Sequence, residues 1–212
     1  MYFQLVIKGV SLPDDDVADR VLMEEGLHCN WWRKVREITE AQVRERLTPR
    51  NLQWHLSHYD DPDPDEGGEI FHEHTPYIST TAGTVARIAN AFNFVHDPFI
   101  TALGFATDTF RETGYMFYGY VYTLGKQSIP LKAFSEEVRE LNIFQDYLEN
   151  YAEGEITAKI SIPASCLERY ERYDGPHAIA NWDKEKPRPQ LTRTNPNYAD
   201  PLKFVNLRGL VQ

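Results

Sequence analysis

Cysteine is nearly missing. Cys29 and Cys166 are the two in 212 residues, too few for a disulfide framework and not spaced as a CxxC pair, which excludes a disulfide-stapled scaffold and a zinc ribbon. Free thiols in a reducing compartment are the expectation. No apolar run approaches the roughly 18–20 residues of a membrane-spanning helix. The segment from Met1 to Lys8 has no basic stretch leading into an apolar core, so it does not read as a signal peptide, and a cytoplasmic protein without membrane partners is expected. Basic charge is also short. The 22 Lys+Arg stand against 32 Asp+Glu, a net charge of −10. That excludes a broad surface for coating nucleic acid but not a local basic groove over one nucleotide. HExxH and EF-hand spacings are missing, and no repeat recurs. With 42% hydrophobic and 25% charged residues, what remains is an ordinary globular chain of one or two domains.

The elements that are there alternate in kind. Residues 2–7, YFQLVI, read as a buried strand closed by Lys8-Gly9. Pro13 and Asp14 to Asp16 open a helix that Gly26 ends. Trp31-Trp32 reads as a hydrophobic brace. Residues 37–47 read as a solvated amphipathic helix. The stretch 60–69, with six acids, two prolines and two glycines, reads as an exposed, mobile loop. Tyr77 to Thr81 form a strand ending in hydroxyls, with a helix expected over 83–94. Residues 115–124 are the strongest strand. A long helix, or two short ones, is expected over 131–151, and a half-buried strand over 155–162, ended by Pro163. The tail from 174 reads as an irregular wrap. This order gives an α+β fold.

Two groups could carry chemistry. His55, His58, His72 and His74 fall close together in HxxH and HxH pairs, so a divalent metal site has to be weighed against hydrogen-bonded histidines and a single catalytic one. Glu153-Gly154-Glu155 opens a strand. Residues i and i+2 of a strand face the same side, so two carboxylates there can divide labour, one steadying a cation and one taking a proton.

A wider series surrounds that pair. A strand-end basic residue (Lys8), the segment Asn51-Leu52-Gln53-Trp54-His55-Leu56-Ser57, the strand Pro76-Tyr77-Ile78-Ser79-Thr80-Thr81, the core strand Tyr118 to Tyr122, the signature Ala152-Glu153-Gly154-Glu155-Ile156 and the pair Ile162-Pro163 occur in that order. Over about residues 3–170 this series resembles the mono-ADP-ribosyltransferase toxins of the Arg–Ser–Glu group, in their pertussis-toxin-like and cholera-toxin-like branches. The first motif departs from the family. Where the family has arginine at the end of its first strand, this chain has Lys8, a point charge without the planar fork. Either Lys8 substitutes with looser geometry, or another cation serves.

The resemblance implies a split, bent β-sandwich with an NAD cleft and flanking helices. Residues 1–173 would be a single catalytic domain and 174–212 an extension packed on or near it. NAD would be co-substrate, with no metal. Glu155 would hold the nicotinamide-ribose 2′-hydroxyl and stabilise the developing cation, and Glu153 would orient or deprotonate the acceptor. Ser79 would fix Glu155, with Thr80 and Thr81 sharing that role. His55 would hydrogen-bond the NAD ribose, Lys8 would face the diphosphate, and Tyr77 or a tyrosine of the 115–122 strand would stack on nicotinamide. The E-x-E pair favours protein arginine as acceptor over a nucleic-acid base or water, and a toxin or effector of this kind allows an antitoxin or immunity protein as partner. The rival readings are a metal-dependent hydrolase built on the four histidines and a non-catalytic binding module.

Overall fold

The computed structural model describes residues 2–35, 38–82, 88–89, 95–96, 98–123, 136–137, 155–182 and 184–203. Strand β1 (Tyr2–Val10) pairs antiparallel along its whole length with β8 (Thr113–Thr123), from Tyr2 opposite Thr123 to Val10 opposite Tyr115. Lys8-Gly9 therefore does not close the strand: a partner on β8 as far as Tyr115 carries pairing past the glycine. Between these strands lie α1 (Asp15–Arg20), β2 (Leu27–His28), α2 (Asn30–Val35), α3 (Glu40–Arg46), α4 (Pro49–Ser57), β3 (Pro62–Asp63), β4 (Glu69–Ile70), β5 (Tyr77–Ala82), β6 (Ile88–Ala89), β7 (Val95–His96) and α5 (Pro98–Ala106). After β8 come β9 (Glu136–Glu137), β10 (Glu155–Lys159), β11 (Ser161–Ile162), β12 (Leu167–Asp174), α6 (Gly175–Ala180) and β13 (Leu191–Thr194).

Local chemistry sets the helix starts. Asp14 caps α1 by accepting from the Val17 amide at 2.8 Å. Thr39 and Gln42 form a capping box at α3, and Thr48 caps α4 ahead of Pro49. After α1 a π-helical turn runs to Gly26, which sits at φ +78, where a Cβ would collide with the Ile162 carbonyl.

The main sheet has seven strands in the order β1-β5-β10-β9-β8-β12-β13, and β1 also pairs with β8. Strands β1, β5, β10, β9 and β8 thus close a ring, and β12 and β13 continue the sheet from β8. Mixed helices and a largely antiparallel sheet make the α+β fold that the sequence implied. The larger core cluster joins β1, β8 and β12 to α1 and α2 through Val6, Ala18, Trp31, Phe117 and Tyr170, so Trp31 is the brace expected. A smaller cluster lies beneath α5. That helix presses onto the sheet because Gly9 and Gly114 have no side chain; a Cβ at either would overlap a carbonyl of α5.

Several expectations are corrected. Within the helix expected over 83–94, Ile88–Ala89 instead pair antiparallel with Val95–His96, and the rest lies outside the described residues. Within 131–151, Glu136–Glu137 form a strand between β8 and β10; the remainder lies outside the described residues. Short apolar runs do not distinguish helix from strand by periodicity. The acidic stretch 60–69 is a hairpin in which Asp63 is 1% exposed and accepts two hydrogen bonds from Arg50, at 3.2 and 2.6 Å. A bidentate arginine makes burial of that carboxylate affordable. The tail read as irregular from 174 contributes α6 and β13, the latter paired with β12. Among the described residues no helix is long and apolar enough to cross a membrane.

Candidate active site

The register of β5 and β10 assembles the site. Thr157 lies opposite Ser79 and Glu155 opposite Thr81. Side chains alternate along a strand, so these four share one face, while Thr80 and Ile156 belong to the other. Ile7 of β1 lies opposite Thr81 on that strand's far side, which brings the end of β1 and Lys8 to the same region.

Helix α4 lays His55 against this face, 3% exposed. Its Nδ1 is 2.9 Å from the Thr75 hydroxyl and its Nε2 is 2.9 Å from the Ser79 hydroxyl. The same Nε2 is 3.7 Å from Glu155 Oε1. Thr75 Oγ1 also accepts from the Tyr77 amide at 3.3 Å. Its own hydrogen therefore suits Nδ1, which leaves Nε2 protonated toward Ser79 and the carboxylate. Burial, and next the Lys8 charge, push the imidazole pKa down to about 3. His55 is thus a neutral, doubly held ring that orients its neighbours, and it carries no charge at neutral pH.

Glu155 keeps 10% of its side chain exposed and accepts from the Thr157 hydroxyl at 3.2 Å. Lys8 is lowered to about 8, first by burial; Glu155 opposes that shift and Arg33 adds to it. Lys8 is therefore still largely protonated near neutrality. These residues border a cleft of 460 Å³, lined among others by Lys8, His55, Ser79, Phe105 and Glu155. That volume lies within the range of about 300–1,000 Å³ usual for small-molecule sites.

The structure brings Lys8, His55, Ser79 and Glu155 together, with Thr81 bordering the same cleft. The Thr81 hydroxyl donates to the Ile7 carbonyl at 3.4 Å, and the Thr80 hydroxyl donates to the Ile156 carbonyl. Both therefore tie the strands together. Tyr77 backs His55, ring centroids 5.5 Å apart, with its hydroxyl donating to the Thr48 carbonyl at 3.2 Å. Tyr115 and Tyr120 point into the core. Glu153 lies outside the described residues.

The four histidines separate. His58 bonds Asp61 at 2.8 Å and His72 bonds Asp60 at 3.0 Å, while His74 is buried 3.9 Å from Asp63. His72 lies in a 3-10 turn, so the HxH pair does not occupy a strand face. Among the described residues no three His, Cys, Asp or Glu side chains are grouped to hold a metal.

Sequence reasoning missed several contributors. Thr157 was findable, since i+2 from Glu155 in a strand is the same face. Thr75, Tyr59, Phe105 and Arg33 carry no local signal. Phe105 is 63% and Tyr59 40% exposed, and both border the cleft.

No protein-family model and no curated protein matches the chain. Among solved structures, the A subunit of heat-labile enterotoxin is similar at 15% identity and a TM-score of 0.43, over 93% of this chain and 77% of that one. A mutant of the E. coli heat-labile enterotoxin gives 15% and 0.42, over 93% and 78%. EcPltA gives 13% and 0.45, over 92% and 87%.

Proposed function

We propose that the protein is an NAD-dependent mono-ADP-ribosyltransferase, a toxin or effector that transfers ADP-ribose to a macromolecule and releases nicotinamide. The observation that carries this reading is the convergence of Ser79 and Glu155 on a neutral His55, at 2.9 and 3.7 Å from one ring nitrogen, in a cleft with Lys8. Cleaving a glycosidic bond to nicotinamide builds positive charge on the ribose. A fixed carboxylate in a site of low solvent access is suited to stabilise that charge, because its orientation is set before the bond breaks.

In this reading Glu155 accepts from the ribose 2′-hydroxyl and faces the developing cation. Thr157 holds Oε1 from one side. His55, anchored by Thr75, positions the Ser79 hydroxyl and supports the ribose. Lys8 supplies positive charge for the diphosphate. Tyr59 and Phe105 offer exposed rings beside the cleft for a planar base. Glu153 addresses the acceptor. Asp60 and Asp61 border the cleft with side chains 85% and 59% exposed, which favours a cationic acceptor such as protein arginine over a nucleic-acid base. Residues 1–173 form the catalytic unit in this reading, with 174–212 as its extension, and the work is done in a cytoplasm, of the producing or the target cell.

The test is incubation with labelled NAD and a cell lysate, followed by separate protease and nuclease digestion. Label lost to protease alone supports protein modification. Label lost to nuclease alone moves the acceptor to nucleic acid, and free ADP-ribose alone makes the protein an NAD glycohydrolase. No consumption of NAD overturns the reading.

A further inference from the structure

Beside the Glu155 cleft lies a second recess of 200 Å³ that shares Lys8, Gly9, Tyr59, Ser79 and Phe105 with it. Its other polar side chains include His28, Asn30 and Arg33, and among the described residues no carboxylate lines it. In a chain with 32 Asp+Glu against 22 Lys+Arg, that is a local reversal of charge. Arg33 is exposed, and among the described residues its guanidinium has neither an ion pair nor a side-chain hydrogen bond. The contrast with Arg46, Arg50, Arg169 and Arg172 is direct, since each of those meets a carboxylate.

The recess is built, not accidental. The Cys29 amide donates to the Ile160 carbonyl at 2.8 Å, the Trp31 amide to the Thr75 carbonyl at 3.2 Å, and Asn30 Nδ2 to the His72 carbonyl at 2.7 Å. Three anchors thus fix the start of α2, and Arg33 follows within one turn. Ile160 itself sits at φ +61, strained for a β-branched residue. That kink turns the chain from pairing with β5 to pairing with β2, which joins the Glu155 strand to the His28 strand. Among the described residues His28 Nδ1 is buried without a hydrogen-bond partner, and the ring stacks on Trp32 with centroids 5.2 Å apart.

We infer that this recess is a diphosphate subsite in which Arg33 supplies the planar, bidentate cation that Lys8 at the end of the first strand does not. Arg33 and Lys8 repel each other; Glu155 offsets the charge of Lys8 but, among the described residues, has no ion pair with Arg33, and a bound dianion removes the remaining cost. Arginine presents paired N–H donors that match phosphate oxygens, while lysine contributes a point charge. His28 adds a ring nitrogen. The assignment rests on the nucleotide reading above and extends it, because the order Arg33, Lys8, Ser79, Glu155 lays a dinucleotide with its anionic middle in the recess and its ribosyl bond at the carboxylate.

The experiment is calorimetric titration of the full chain with ADP and with adenosine, for the wild type, Arg33→Gln and Arg33→Lys. Charged hydrogen bonds of this kind set the scale at about tenfold or more. ADP is expected to bind tighter than adenosine by at least that factor, Arg33→Gln to lose about tenfold or more toward ADP with adenosine unchanged, and Arg33→Lys to recover only part. ADP binding no tighter than adenosine, or equal ADP affinity in wild type and Arg33→Gln, overturns the subsite. Nicotinamide release from NAD, measured in parallel, separates the two claims. Release with ADP binding indifferent to Arg33 removes the subsite alone; Arg33-dependent ADP binding without release keeps the subsite and removes the transferase reading.

Discussion

On the Glu155 side of the cleft, polar groups hold one another: Thr75 and Ser79 grip the two nitrogens of His55, and Thr157 bonds the carboxylate. On the Arg33 side, the guanidinium stands exposed and one nitrogen of His28 is buried without a hydrogen-bond partner among the described residues. The first arrangement is set before any ligand arrives, as stabilisation of a transient charge requires. The second lacks its counter-charge, as capture of an anion requires. In the proposed reading the cleft and its neighbouring recess divide chemistry from binding.

The sharpest way to break this comparison is Glu155→Gln, which removes a charge with almost no change in volume. Nicotinamide release should fall by on the order of 10²–10³ or more, while ADP binding in the Arg33 recess persists; a variant with wild-type turnover would end the mechanism. Glu153→Ala should suppress transfer to the acceptor more than NAD hydrolysis, and equal loss of both would remove its role. Acid should strike the His55 side hardest, because its ring is the more deeply buried, although burial also lowers His28 on the Arg33 side. The His55 pKa is about 3 in the folded protein against 6.5 for the free group. The buried ring is held neutral, so stability is full above pH 6.5 and declines as the pH falls from 6.5 toward 3, with a slope of up to about 1.4 kcal/mol per pH unit. Urea unfolding between pH 7 and 4 should show a steeper slope in the wild type than in His55→Gln, where the slope from His28 and His74, both also lowered by burial, remains. The smallest effect is expected for Thr157→Val, a several-fold fall in turnover from the loss of one neutral hydrogen bond to Glu155. A fall as large as that of Glu155→Gln would mean Thr157 does more than orient.

On the Glu155 side the sequence offered strand parity, which puts two carboxylates of E-x-E on one face, and the order of motifs whose resemblance singled out His55 and Ser79; the register of β5 against β10 then brings Ser79 and Glu155 to one face. The Arg33 side was not. An exposed arginine on a short helix looks like any solvated charge, and its recess exists only where β1, α2 and β5 meet. Asp63 misled for the opposite reason: its neighbours are acidic and exposed, and the Arg50 that permits its burial is 13 residues away. Strand β12 was missed altogether. Its fully buried residues, Leu167, Tyr170 and Tyr173, recur every three positions, because a register shift between Leu167 and Arg169 puts Leu167 and Tyr170 in the larger cluster while Tyr173 faces the other one, beneath α5. Lys8-Gly9 read as a strand end because glycine punctuates locally, whereas pairing with β8 decides the outcome.

The most direct test of the account follows NAD by proton NMR in the presence of the purified chain. Free nicotinamide should appear at a rate that saturates with NAD and is competitively slowed by ADP. NAD that stays intact over the same period, or cleavage that ADP leaves unaffected, would contradict a dinucleotide held across the recess and split at Glu155.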